Sequence, residues 1–131
     1  MIRHRLDAPS YQLACDLAGA GLLRRLPAGE TVLRVLTVGV WDNYTAGVYL
    51  AADRDNRILY VGSAIRSGSD PVSDRIGEHM RCGRADEWTR LMLVPLRADL
   101  SVDRVRRIEG AIGRVLRPMD NHRLPTLSGR P

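Results

Sequence analysis

Two apolar runs separated by a short polar stretch constrain the fold of this chain more than any other feature of its sequence. Residues 46–52 and 57–62 are dominated by small apolar, β-branched and aromatic side chains, and the polar tetrad Asp-Arg-Asp-Asn occupies 53–56 between them. Apolar runs of this length on either side of a turn-forming tetrad are typical of a β-hairpin. We therefore predict two antiparallel strands, and so a sheet, near the middle of the chain.

Local patterns predict further helices and strands on both sides of the hairpin. Apolar residues at helical spacing, a run rich in β-branched residues and capping signals such as Ser101 place them along the chain. A loop containing glycine and serine is expected at 63–70, directly after the hairpin. The other predicted elements are a helix over 9–26, a strand over 31–40, a helix over 71–81, a strand over 89–96 and a helix over 102–116.

The order of these elements indicates an α+β fold, in which a small, largely antiparallel three-stranded sheet is flanked by helices. A chain of 131 residues has the size of one domain. We expect residues 1–44 to form an N-terminal helix-strand extension packed on the core, residues 45–124 to form the main domain, and residues 125–131 to be a loose tail.

Composition excludes several classes of protein. The apolar share of 44% is ordinary for a globular protein, which argues against global disorder. No apolar run approaches the roughly 18–20 residues that cross a bilayer, and no secretory signal is visible at the start. The two cysteines, Cys15 and Cys82, are too few for a disulfide framework. We therefore expect a cytoplasmic protein with reduced thiols and no association with membranes.

Positive charge is concentrated in the second half of the chain. All 20 basic residues are arginines, and against 15 acidic residues they give a formal charge of +5. Residues 1–74 hold 8 arginines and 8 acidic residues, whereas residues 75–131 hold 12 and 7 and therefore carry the whole excess. Such a positive region suits a polyanion such as nucleic acid. The base composition of a genome is an alternative reason for the absence of lysine, but it does not account for the asymmetry.

The last predicted helix carries an acidic residue on its apolar side. With about 100° between successive residues, Val105, Ile108, Ile112 and Leu116 form one stripe, and Glu109 falls inside it. An ionised carboxylate on a core-facing stripe is costly unless it is paired or bound to a metal. Two interpretations remain open at this point, a structural salt bridge to an arginine at the edge of the stripe or a functional carboxylate.

A basic pair marks the helix predicted over 71–81. Arg75 and His79 are four residues apart, so they lie on one side of the helix, next to its apolar stripe. They are either a surface pair at the edge of that stripe or residues that face a cleft. Cys82 follows His79 by three residues, which makes a zinc pair conceivable, but the sequence holds no second pair with metal-ligand spacing.

Two tripeptides in the hairpin complete a wider pattern. Gly47-Val48-Tyr49 lies on the first predicted strand and Tyr60-Val61-Gly62 on the second. Together with residues that follow, they resemble the GIY-YIG nuclease family, which is named for two such tripeptides on neighbouring strands. The resemblance covers roughly residues 45–124, and the Arg-His spacing is similar to that of the restriction-endonuclease branch. The later residues of the pattern are, in order, Arg75, His79, Glu109 and Asn121.

The resemblance implies a metal-dependent endonuclease that hydrolyses phosphodiester bonds of DNA. In the family, the glutamate at the position of Glu109 holds a single divalent cation, usually Mg²⁺ or Mn²⁺. The first tyrosine of the family is taken as the general base for water, a role that falls here on Tyr49. Arg75 is then expected to stabilise charge on the phosphoryl group, and His79 to accept the proton of the tyrosine.

Further roles follow from the same resemblance. Tyr60 is expected to orient water or phosphate, and Asn121 to form a hydrogen bond with the phosphate or with the metal-binding carboxylate. The two glycines of the tripeptides let the backbone approach a ligand closely. The candidate contacts to nucleic acid are Gly47, Gly62, Ser63, Arg66 and Arg81.

Two alternative functions remain for this chain. It could be a catalytically inactive DNA-binding module, or a subunit of a larger restriction, repair or recombination complex. Valine replaces isoleucine in both tripeptides, which is a conservative change. We expect no lysine- or tryptophan-rich DNA-recognition segment after the main domain, so the pattern does not indicate a target. A single metal site cuts one strand at a time, so double-strand cleavage would need a homodimer or two successive nicks.

Overall fold

The computed structural model describes residues 5–27, 29–65, 72–81 and 86–118. These ranges contain helices and an antiparallel sheet, which confirms the predicted α+β class. Among the described residues, no helix combines the length and the hydropathy that a membrane-spanning segment needs. The elements that carry the fold are α1 (Ala8–Ala18), β1 (Glu30–Thr31), β2 (Ala46–Ala52), β3 (Ile58–Ile65), α2 (Ser73–Arg81), β4 (Arg90–Pro95) and α3 (Val102–Leu116).

In the described ranges the sheet has four antiparallel strands, not the three that the sequence predicts. Its strand order is β1-β4-β2-β3, so that β2 pairs with both β3 and β4. The additional strand β1 is two residues long and pairs with the start of β4, with Glu30 opposite Leu91 and Thr31 opposite Arg90. This pairing joins residues far apart in the chain, which a local sequence pattern does not reveal.

The central hairpin is the best-predicted part of the fold. β2 spans the predicted 46–52, and β3 pairs with it so that Tyr49 lies opposite Gly62. The prediction of a loop over 63–70 is wrong for residues 63–65, because their backbone pairs with the first residues of β2 and β3 continues to Ile65. The rest of that loop lies outside the described residues.

The strand predicted over 31–40 is wrong beyond Thr31. After β1 the chain turns into a helical segment that includes a π-helical stretch, Arg34–Val38, and ends at Gly39 with a left-handed φ of 76°. The Thr31 hydroxyl accepts a hydrogen bond from the backbone N–H of Arg34 at 3.2 Å, which is a helix-capping contact. Burial of Val35 against the sheet then outweighs the β-branched composition of the run.

Helix α1 is shorter than the predicted 9–26. It begins at Ala8, with the Asp7 carboxylate accepting a hydrogen bond from the backbone N–H of Ser10, and it ends at Ala18. Gly19 adopts a left-handed φ of 56° and starts a short 3-10 turn, Gly19–Gly21, which changes the direction of the chain. The residues that follow run alongside the end of β4, because the backbone N–H of Leu23 donates to the carbonyl of Pro95.

The later elements lie close to their predicted bounds. Helix α3 spans the predicted 102–116, and the Ser101 hydroxyl caps it by accepting a hydrogen bond from the backbone N–H of Arg104 at 3.1 Å. Strand β4 is one residue shorter at each end than the predicted 89–96. Helix α2 begins at Ser73, after the predicted start at 71, which lies outside the described residues together with the tail at 125–131.

Two apolar cores lie on the two faces of the sheet. Successive side chains of a strand alternate between faces. On β2, Val48 and Leu50 face the core formed with α1 and α3, whereas Tyr49 and Ala51 face the core formed with α2 and Val35. Every residue of β2 is buried. The candidate residue Tyr49 therefore sits between the sheet and α2.

Candidate active site

Tyr49 lies at the centre of the site and depends on Gly62. The Tyr49 side chain is fully buried, and its hydroxyl has no hydrogen-bond partner among the described residues. Its ring end lies over Gly62 of β3, where a Cβ atom would stand 2.7 Å from both Cζ and Oη of Tyr49. Only glycine at position 62 leaves this space to the tyrosine.

Tyr49 belongs to a buried aromatic cluster that joins β2, β3 and α2. Its ring centroid lies 6.1 Å from that of Tyr60 and 6.1 Å from that of His79. Tyr60 and His79 are closer to each other, at 5.0 Å, and Trp88 stacks on Tyr60 at 5.3 Å. His79 is only 1% exposed, so it lies in the core and not at its border. The structure thus brings together two predicted tyrosines and the predicted histidine.

Arg75 brings positive charge to both tyrosines. Its side chain is 13% exposed, and its Nη1 lies 3.2 Å from Oε1 of Glu78. Burial raises the pKa of Tyr49 well above its usual value, the neighbouring Tyr60 raises it further, and the charge of Arg75 opposes both. Arg75 approaches the Tyr49 hydroxyl, although the two do not meet the geometry of a hydrogen bond. Burial likewise raises the pKa of Tyr60 to about 12, and Arg75 again favours the ionised form.

Glu109 reaches the same site from α3. Its carboxylate is half-buried and accepts a hydrogen bond from the Ser63 hydroxyl at 2.5 Å, which ties α3 to β3. Burial raises the pKa of Glu109, and the hydrogen bond from Ser63 and the charges of Arg75 and Arg106 oppose this rise. Glu109 in turn raises the pKa of Tyr60. The Glu109 carboxylate and the Arg75 guanidinium each affect the pKa of both phenols, so these groups lie within electrostatic reach of one another.

The donor set suits a hard cation that keeps most of its water. No group of three or more His, Cys, Asp and Glu side chains is placed to share a metal ion in the described ranges. The cation ligand that the site provides is the single, half-buried carboxylate of Glu109, and one of its oxygens accepts the hydrogen bond from Ser63. Mg²⁺ is usually bound by one or two carboxylates, with water and substrate phosphates completing its shell. A Mg²⁺ or Mn²⁺ ion fits these residues, whereas a closed zinc site would need more ligands.

A cleft opens beside these residues. It has a volume of about 190 Å³ and lies between β3, α2 and the first turns of α3. Its polar side chains include Arg75 and the half-buried Arg106. The described residues that line it are Ser63, Ala64, Ile65, Arg75, Val102, Val105 and Arg106.

The remaining candidate residues have different surroundings. Gly47 is buried, and a Cβ atom there would stand 2.7 Å from Cδ1 of Leu93, so packing against β4 accounts for this glycine. Arg81 is exposed at the end of α2. Arg66, Asn121 and the possible zinc ligand Cys82 lie outside the described residues.

Sequence reasoning missed three residues around the site. Trp88 packs against Tyr60 and His79, Glu78 pairs with Arg75, and Arg106 lines the cleft. Two of them had a signal in the sequence, since Arg106 lies three residues before Glu109 and Glu78 three residues after Arg75, which makes each pair neighbours on one helix.

No protein-family model, no curated protein and no solved structure matches the chain.

Proposed function

We propose that this protein is a metal-dependent endonuclease of the GIY-YIG type, which hydrolyses phosphodiester bonds of DNA. One observation carries the proposal: Tyr49, Tyr60, Arg75, His79 and Glu109 come from four different helices and strands and converge on one site. Their residue types suit phosphodiester hydrolysis, which needs a base, charge stabilisation and a cation ligand. The excess of arginine after residue 74 suits a polyanionic substrate.

Tyr49 is the proposed general base. Water attacks the phosphorus atom, and the bond to the leaving oxygen breaks as the new oxygen–phosphorus bond forms. The Tyr49 oxygen accepts the water proton, since no described residue occupies it as a hydrogen-bond partner. Because the pKa of Tyr49 is raised, the neutral phenol must give up its own proton at the same time, and His79 is the proposed acceptor.

Arg75 and Glu109 stabilise the charge that develops. The Arg75 guanidinium favours negative charge at the site, as its effect on both tyrosines indicates, and would bind the non-bridging oxygens of the phosphate. Glu109 would hold Mg²⁺ or Mn²⁺, with Ser63 fixing one carboxylate oxygen. When bound, such an ion supplies positive charge at the leaving oxygen. Tyr60 orients water or phosphate, and Asn121 remains a proposed partner of the phosphate or of the carboxylate.

Cleavage of plasmid DNA tests the proposal. Wild-type protein should cleave with Mg²⁺ and stop when EDTA is added, and Tyr49→Phe, Arg75→Ala and Glu109→Ala should each lose most of the activity. Tyr44→Phe is a matched control, because Tyr44 is a half-buried tyrosine outside the aromatic cluster. Equal activity in wild type and in all three site variants would refute the site assignment. If the wild-type protein cleaves none of the DNA substrates tested, the proposal that it is an endonuclease is refuted.

A catalytically inactive DNA-binding module is the second candidate, and the deep burial of Tyr49 favours it. A base with no exposed surface and a raised pKa is a poor proton acceptor unless substrate binding changes its surroundings. Such a module would bind DNA in a salt-dependent manner and would neither cleave nor respond to EDTA. Light scattering with and without DNA would also decide whether a homodimer forms.

A further inference from the structure

The cleft beside Glu109 is lined by one more polar side chain than the proposed catalysis uses. Three elements contribute its polar atoms: Ser63 from β3, Arg75 from α2 and Arg106 from α3. Catalysis as proposed above uses Arg75 and Ser63, and it gives Arg106, whose charge opposes the raised pKa of Glu109, no contact with the substrate. The other described lining residues are apolar, namely Ala64, Ile65, Val102 and Val105.

The size of the cleft limits what it can hold. Sites for whole small molecules usually enclose about 300–1,000 Å³. At about 190 Å³ the cleft is smaller, so a complete nucleotide with its base does not fit in it. A single phosphate group with its ester oxygens does, and a guanidinium binds two phosphate oxygens with its planar fork. The apolar lining leaves room for the carbon atoms of an adjoining sugar.

We propose that this cleft is a subsite for one phosphate group of the nucleic-acid backbone, and that Arg106 is a phosphate ligand in it together with Arg75. The proposal rests on the proposed function, because it takes nucleic acid as the substrate. Arg106 and Glu109 are three residues apart on α3 and are therefore neighbours on its surface. A phosphate held between Arg75 and Arg106 would lie directly beside the carboxylate proposed to hold the cation.

The salt dependence of DNA binding tests Arg106 without relying on cleavage. Binding of a short mixed-sequence DNA duplex is measured over a range of salt concentrations, with EDTA present so that no strand is cut. Each lost phosphate contact lowers the slope of log K against log salt by about 0.9. We expect this reduction for Arg106→Gln, which keeps most of the side-chain volume, and no reduction for Arg106→Lys, which keeps the charge.

Arg107→Gln is the matched control, because Arg107 is the next residue of α3 and is exposed outside the cleft. A lower slope for Arg106→Gln with an unchanged slope for Arg107→Gln supports the subsite. Equal slopes for wild type and Arg106→Gln, or the same reduction in both variants, overturn it. Circular dichroism of each variant confirms that it is folded before its slope is compared.

The same measurements separate the subsite from the proposed function. If wild-type protein binds the duplex with the expected difference between the two variants but never cleaves it, the nuclease is refuted and the subsite stands. If the protein cleaves DNA with Mg²⁺ while the slopes of the two variants agree, the nuclease stands and the subsite is refuted. A wild-type protein that binds no DNA refutes both.

Discussion

Tyr49 and Gly62 face each other across β2 and β3, and the end of the tyrosine ring fills the space that a side chain at position 62 would need. A Cβ atom at Gly62 would stand 2.7 Å from the Tyr49 hydroxyl oxygen and 2.5 Å from Cε2 of Tyr60. The tyrosine of the first tripeptide therefore requires the glycine of the second for steric reasons. The candidate site and the fold therefore depend on the same contact.

Gly62→Ala should both destabilise the protein and abolish cleavage. Forcing a methyl group into a packed core costs about 1–3 kcal/mol, and here it would displace Tyr49 and Tyr60. Urea unfolding followed by circular dichroism measures the first effect, and plasmid cleavage measures the second. Gly113→Ala is the control: nothing lies within 4 Å of its Cβ position in α3, so we expect a gain of about 0.5–1 kcal/mol from helix propensity. Similar stability changes in both variants would contradict the steric argument.

Tyr49→Phe should leave stability unchanged or raise it by about 1 kcal/mol while it abolishes cleavage. A buried hydroxyl without a hydrogen-bond partner costs free energy, and its removal recovers that cost. Tyr11→Phe is the matched comparison, because the Tyr11 hydroxyl donates to the carbonyl of Leu93 at 2.6 Å and accepts from the backbone N–H of Leu26 at 3.0 Å. We expect Tyr11→Phe to lose about 1–3 kcal/mol. Denaturant titration of both variants checks the difference, and a large loss for Tyr49→Phe would show that its hydroxyl is paired.

Ser63→Ala should weaken the response to Mg²⁺ and leave the maximal rate close to that of wild type. The Ser63 hydroxyl orients the Glu109 carboxylate, and loss of such a partner typically lowers metal affinity by about 10–100-fold. The cleavage rate as a function of Mg²⁺ concentration gives the apparent affinity. Ser73→Ala removes a similar bond, from its hydroxyl to Asp42 at 3.0 Å, which does not involve Glu109, and should not change that affinity. The same Mg²⁺ dependence in Ser63→Ala and wild type would argue against Glu109 as the cation ligand.

Asp53 should make stability depend on acid pH. Its burial acts to raise the pKa of the carboxyl, but hydrogen bonds from Asp55 and Arg57 and the charge of Arg57 outweigh this and lower it. A folded-state pKa below the unfolded value of about 3.9 means that the carboxylate stabilises the fold above that pH. The contribution is then lost as the pH falls through the lower folded value.

Asp53→Asn tests this pH dependence. At neutral pH the variant should be less stable by about 1–3 kcal/mol, because it loses charge-assisted hydrogen bonds. Urea unfolding at pH 7 and at acid pH should show a smaller difference in the variant than in wild type. Asp86→Asn, at an exposed aspartate with no hydrogen bond to Arg57 among the described residues, controls for the loss of one negative charge. An acid-pH loss of stability that is equal in Asp53→Asn and wild type would remove Asp53 as its source.

The elements that local patterns predict well are those whose signals lie within a few residues. The polar tetrad between two apolar runs was sufficient for the hairpin of β2 and β3, and the Ser101 cap with its apolar stripe was sufficient for α3. Over 31–40 the local pattern predicts the wrong structure. There the β-branched composition predicts a strand, but burial of Val35 and a capping contact from Thr31 select a helical segment.

The candidate site divides in a similar way. Residue types and their order, from Tyr49 to Glu109, were sufficient to nominate the main side chains. The sequence did not indicate that Trp88 stacks on Tyr60, nor that Ser63 holds Glu109, because these contacts join residues distant in the chain. It also placed His79 at the border of the core, whereas packing of α2 on the sheet buries it.

The sequence by itself therefore determined the α+β class, the central hairpin, the last helix and the chemical groups available for a site. The tertiary structure alone decided that a fourth strand forms and that most of 31–40 is helical. It also decided the burial of Tyr49 against Gly62 and the cleft that Arg106 lines together with Arg75. The physical reason is the separation along the chain of the residues that interact. Capping and periodicity act between neighbours in the chain, whereas strand pairing, burial and electrostatic contact depend on which distant residues meet when the two cores form.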